Sequence, residues 1–323
     1  MKISRVGILV LIAFTVLIGA GCGKILARKD LVDGAQAYKD RKFDEAETLF
    51  RSAIQRDPEQ GTAQLFLART LHSQYAADRR QTAKAEEAIT EYKKTIDEYK
   101  KRLNEKSSVI NSGDRSPCSY SDYAIARMEG ERKESFEAFK VVGDSLKAVA
   151  NLLDTLQRPE ERLQWLNQWG EDASLPGCLR AEAYTSLAAR ENTCANDITE
   201  SPAVKKTVTK DGKSIFQFSK PENPADYETL KQCIQRGTDL INKALELDQS
   251  SDSVWSYKTS LLNQNMRLAE MEGRTADRDR FKSEYDQAKE KFTELAKIKK
   301  DRLDEEERER KAAEEAANTN ANK

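Results

Sequence analysis

From residue 28 onward, apolar side chains recur at three- and four-residue steps between charged positions. This pattern predicts a succession of helices, each with one buried stripe and one salted face. The clearest stretch carries Gly34, Tyr38, Phe43, Ala46, Leu49, Phe50, Ala53 and Pro58. Small residues at 34 and 46 let two antiparallel helices cross at close approach. Phe43, Leu49 and Phe50 fill the volume around that crossing, and Pro58 stops the second helix. Weaker copies follow. Leu65 to Leu71 pairs with Ala88, Ile89 and Tyr92 to Ile96, after an insertion near Ala76 to Thr82. Leu146, Val149, Ala150 and Leu153 pair with Leu163 to Trp169, and Arg162 widens that crossing. Ala181 to Ala188 pairs with Ala244 to Asp248, and Trp255, Tyr257, Leu261 and Leu262 open a further unit.

The stretch from Gly34 to Pro58 resembles the tetratricopeptide-repeat family in nearly full form. The resemblance implies an all-α solenoid of about five antiparallel helix pairs, stacked because one hairpin cannot bury its own apolar face. Residues 28–104 are expected to form repeats 1 and 2, 105–119 a loop, and 120–300 repeats 3 to 5, with helix resuming from Tyr120 to Leu156. Residues 203–219 interrupt the fourth repeat. Two alternating β-prone runs flank Asp211 and Gly212, which predicts a hairpin. It is either a small cover over the core or an edge for strand addition. Phe281, Tyr285, Ala288, Phe292 and Leu295 predict a capping helix, with a coiled-coil dimer seam as the alternative, and 301–323 a charged, solvated helix fading into disorder.

Residues 1–21 have another character. Lys2 and Arg5 precede an apolar run from Val6 to Ala20, which ends in Gly19, Ala20, Gly21 and Cys22. The segment resembles a bacterial lipoprotein signal, with Cys22 as the lipidated residue and 22–27 as a linker. Gly19 departs from the usual Leu. The resemblance implies an anchor in the cell envelope. Gly23, where the inner-membrane retention signal has Asp, favours the outer membrane, facing the periplasm. An uncleaved N-terminal anchor helix is the alternative.

Charge and composition narrow the chemistry. With 54 basic against 55 acidic residues, the chain lacks the basic footprint of a nucleic-acid binder. His72 is the only histidine, so a histidine triad has one place to form, and metal patterns lack a second His. No phosphate-cradling glycine loop occurs, and no catalytic residues, cofactor, metal or small-molecule substrate are expected.

What remains is a protein or peptide partner. The resemblance places the first helices of successive repeats along a concave groove, which here carries Tyr38, Lys39, Phe66, Arg69, His72, Asn151, Asn192, Tyr257 and Asn263. Aromatics and Arg anchor interfaces, and Asn offers donors and acceptors to an extended backbone. Packing between neighbouring repeats is the other role open to several of them, Tyr38 and Phe66 above all. Leu31, Ala35 and Leu65 occupy the clamp positions of the chaperone-binding members, which argues against acidic chaperone tails. An envelope assembly factor and a regulator of a cell-wall enzyme both remain open as functions.

Four cysteines remain beside Cys22. Cys178 and Cys194 stand at opposite ends of one predicted helix, about 24 Å apart at 1.5 Å per residue, too far for a bridge. Cys194 ends the first helix of the fourth repeat and Cys233 begins the second, so these two are expected to pair, leaving Cys118 for Cys178, with free buried thiols as the alternative.

Overall fold

A computed structural model describes residues 23–111, 115–210 and 212–321. Twelve helices and one two-stranded antiparallel sheet make up the described residues. They are α1 (23–39), α2 (Phe43–Arg56), α3 (Gly61–Ala77), α4 (Thr82–Glu105), α5 (Ser107–Asn111), α6 (Asp122–Ala126), α7 (Gly130–Thr155), α8 (Pro159–Glu171), α9 (Gly177–Thr199), α10 (Pro224–Leu247), α11 (Asp252–Met271) and α12 (Thr275–Ala321). Strands β1 (Lys205–Lys210) and β2 (Lys213–Phe218) lie between α9 and α10. Among the described residues no helix is long and apolar enough to cross a bilayer. The leader and the lipidation site expected at residues 1–22 lie outside them.

The chain divides into two compact units. One holds the described part of Met1–Ser107 with Glu137–Arg162, the other Ser108–Phe136 with the described part of Leu163–Lys323. In the first unit α2 packs on α3 and α3 on α4. The crossing of α1 and α2 is close because residue 34 has no side chain: a Cβ there would stand 2.8 Å from the Phe50 ring. Ala46, Phe50 and Ala53, one turn apart on α2, are fully buried. In the second unit α9 packs on α10 and α11, and α11 on α12. Gly237 plays the part of Gly34, since a Cβ there would meet Leu261 at 2.6 Å.

Two turn chemistries recur. Helices α1, α7 and α11 are followed by Arg41, Gln157 and Gly273 at φ 61°, 58° and 71°. Each is followed by a residue whose N–H reaches back five positions (Lys42 to Ala37, Arg158 to Leu153, Arg274 to Ala269) at 2.9 Å. The other turn uses aspartate. Asp78, Asp172 and Asp248 each accept the N–H two residues on (Arg80, Ser174 and Ser250), at 3.0–3.1 Å, which starts the chain back toward the next helix.

Several expectations change in detail. There is no insertion near 76–82: α3 ends at Ala77 and α4 starts at Thr82, joined by the Asp78 turn. The loop expected at 105–119 contains α5 and a 3-10 turn at Pro117–Ser119. Helix does not run unbroken from Tyr120. Ser121 caps the short α6 by accepting the Ala124 N–H at 3.1 Å, and Gly130 at φ 55° resets the chain for α7. The solvated helix expected beyond 301 is present as the continuation of α12, which runs without a break to Ala321. Glu, Arg, Lys and Ala favour helix there. Ion pairs one turn apart, such as Lys311–Glu307 at 3.3 Å, support it. Contacts from Ser121 to Glu306 at 2.6 Å and Arg127 to Glu309 at 2.9 Å also tie the charged stretch to α6.

Candidate functional site

The nine groove positions stand on α1, α3, α7, α9 and α11 and fall in two units. Tyr38, Lys39, Phe66, Arg69, His72 and Asn151 belong to the first. Its centre is an aromatic cluster. Phe66 stacks on buried Phe50 with ring centroids 5.4 Å apart, and Tyr38 stands edge-on to Phe66 at 6.3 Å and tilted to Phe43 at 5.6 Å. The Tyr38 hydroxyl pairs with the Ser73 hydroxyl at 3.1 Å. Arg69 lies over the Phe66 ring, 5.9 Å from its centroid, and 3.8 Å from Asp144 of α7. Lys140 also reaches Asp144, at 3.0 Å.

His72 closes this face. Its ring meets Tyr92 of α4 edge-on at 6.0 Å, with Nδ1 3.4 Å from the Tyr92 hydroxyl. Burial pushes the His72 pKa down, and the Arg79 charge pushes it further in the same direction. Burial holds the Tyr92 hydroxyl well above its ordinary range. The face is therefore cationic through Arg69, Lys140 and Lys39, with the Arg79 charge near His72, whose imidazole holds its proton less tightly than usual. Lys39 and Asn151 are exposed, while Tyr38, Phe66, Arg69 and His72 are half-buried. Both roles weighed for Tyr38 and Phe66 thus coexist: each packs against a ring of a neighbouring helix and still meets solvent.

In the second unit the three remaining positions differ. Tyr257 and Asn263 on α11 are half-buried. Asn192 is buried, with its Oδ1 lacking a hydrogen-bond partner, because α9 is covered by both α10 and α11. A side chain at that depth does not line an open groove. The cysteines meet in the pairs expected: Cys194 with Cys233, their Cα atoms 6.1 Å apart, and Cys118 with Cys178, 6.0 Å apart.

Sequence reasoning missed three contributors to the first face: Ser73, Tyr92 and Asp144. Asp144 was within reach, since it precedes Asn151 by two helical turns and shares its side of α7. Ser73 was within reach for the same reason, one turn after Arg69 and two after Phe66 on α3, whereas Tyr92 gives no such signal, because only the packing of α4 against α3 brings it in. No protein-family model matches this chain, and no curated protein matches it in sequence.

Proposed function

We propose that this chain is a lipid-anchored scaffold of a bacterial cell envelope. In this reading it is built from tetratricopeptide-like helix pairs and serves as an assembly factor that holds a protein partner. The observation that carries the reading is the half-exposed face of the first unit. Tyr38, Phe66 and Arg69 are held against fixed neighbours there, and Lys39 and Asn151 stand free at its margins. Aromatic rings already ordered by packing lose little entropy when a partner covers them, and an Arg resting on a ring presents its donors at a set angle. The repeated turns at Arg41, Gln157 and Gly273 support a repeat origin for the helix pairs. The Gly34–Phe50 crossing supports the family resemblance of the first pair. The anchor rests on the residues before Cys22.

One experiment addresses binding and anchoring together. Full-length protein is recovered from detergent-solubilised membranes after crosslinking, beside an Arg69→Ala, Tyr38→Phe variant that keeps the ring packing. Loss of these two polar contacts is expected to weaken the main crosslinked partner by roughly 2 kcal/mol, the scale of an interface hot spot, with unchanged helical circular dichroism. Intact-mass analysis of the same material should find a diacylglyceryl adduct on Cys22. Equal recovery of the partner by the variant removes the groove from consideration. A mature chain that retains residues 1–21 removes the lipid anchor.

A further inference from the structure

The β1–β2 hairpin is the part of the second unit that its own fold covers least. Its base is embedded. Val204 is buried among Leu230, Ile234, Leu268 and Met271, and Phe218 packs on the same cluster with the Arg267 guanidinium 4.6 Å from its ring centroid. Arg267 also bonds the Thr199 hydroxyl at 3.0 Å and Glu200 at 2.8 Å, which fastens this end to α9. Beyond the base the strands leave the core. Residues 213–217 of β2 are all exposed, with Ile215 at 42% and Phe216 at 59%. The register pairs Ile215 with Val208 and Phe216 with Thr207. Neighbouring residues on one strand project to opposite faces, so each face of this ribbon presents a large apolar side chain to water. A lone two-stranded ribbon is marginal in water, and its outer backbone groups are unpaired.

Charge indicates what covers it. Residues 205–220 contain five lysines (205, 206, 210, 213 and 220) and a single acid, Asp211. Lys205 is paired with Glu200 and lies 4.1 Å from the Phe216 centroid. Lys206 and Lys213 are exposed. We propose that the open edge of β2 accepts an extended acidic segment of a partner protein as a third strand. Only an added strand meets Ile215 and Phe216 together, because its own side chains alternate across the two faces while its backbone pairs with β2. A flat lipid surface reaches one face at a time, and the turn is Asp-Gly rather than apolar. A second copy of the hairpin would bring lysines against lysines.

The proposal does not rest on the groove, which lies in the other unit. The test uses the full chain and a fluorescent, N-acetylated heptapeptide of alternating Glu and Val, read by anisotropy. Two control peptides replace Glu by Lys, or carry N-methyl groups at alternate residues so that one edge cannot donate. The Glu peptide should bind, the Lys peptide about tenfold more weakly, as expected from a few reversed cross-strand charge pairs. A Lys206→Glu, Lys213→Glu variant should invert that preference, and N-methylation should abolish binding. Arg69→Ala should change nothing. The proposal is overturned if the N-methylated peptide binds equally well, if the charge-reversed variant keeps the original preference, or if Arg69→Ala also loses the peptide. It is also overturned if no peptide binds while phosphatidylglycerol vesicles do.

Discussion

Both units pack aromatic rings together, but among the described residues only the second carries disulfides. Between 23 and 107 and between 137 and 162 there is no cysteine, and the centre is Phe50 stacked on Phe66 with Tyr38 and Phe43 around them. The second unit sets Tyr120 edge-on to buried Phe136 at 4.8 Å, but at its α9–α10 cluster the rings, Phe218 and Tyr227, are only partly buried, and two cysteine bridges, 118–178 and 194–233, are added. The connections explain the contrast. Within the first unit, the α1–α2 and α3–α4 turns are a few residues long and closed by backbone or aspartate hydrogen bonds. The α9–α10 connection carries a whole hairpin, so the two helices meet only across a long excursion. A bridge spanning 39 residues limits the unfolded chain where a short turn would otherwise have done so.

The contrast is broken most severely by emptying the aromatic centre. Phe50 is fully buried, and Phe50→Ala removes a ring that also fills the space left by Gly34. A loss of about 3–5 kcal/mol is expected for such a truncation. Hydrogen exchange followed by mass spectrometry should find α1 to α4 deprotected and α9 to α11 unchanged. Equal deprotection throughout would mean that the two units unfold as one.

The complementary change removes the staple. With Cys194→Ser and Cys233→Ser together, α9 and α10 should lose roughly 2–4 kcal/mol of protection against exchange, while α3 and α4 keep theirs. The double substitution leaves no unpaired thiol behind. An unaltered exchange pattern in α9 and α10 would show that the Leu230–Ile234 cluster suffices without the bridge.

Much of the helical layout could be read in the chain, because amphipathic spacing and close-crossing small residues are local signals. Gly34, Ala46 and Phe50 announce a crossing before any coordinates exist, and Asp211-Gly212 announces a hairpin. The break at 127–129 was hidden, since Gly130 looks like any glycine until its φ of 55° is known. The length of α12 was hidden for another reason. A run of charges reads as a solvated helix that fades into disorder unless one knows that Glu306 and Glu309 find Ser121 and Arg127. The candidate face was half legible. Residue type nominated Tyr38, Phe66 and Arg69, but depth cannot be read from type, and Asn192 turned out to be buried.

The smallest expected effect is a pH response confined to one unit. His72, the only histidine of the chain, lies in the first unit. Burial lowers its pKa below the ordinary value of 6.5, and Arg79 adds to the shift, so the folded state holds this proton less tightly than the unfolded chain does. The stability it contributes is complete above pH 6.5 and declines as pH falls from 6.5 toward the folded pKa. Carboxylates respond at lower pH. Burial pushes Glu47 up, but hydrogen bonds from Lys84, Arg51 and Gln74 more than offset this and hold it below 4.5, so its contribution is lost only in more acid solution. Between about pH 7 and about pH 5.5, exchange protection in α3 and α4 should therefore weaken while that of α9 to α11 stays level. His72→Gln should flatten the slope in α3 and α4 without touching the second unit. A slope that survives the substitution, or one that appears equally in α9 to α11, would assign the response to carboxylates instead.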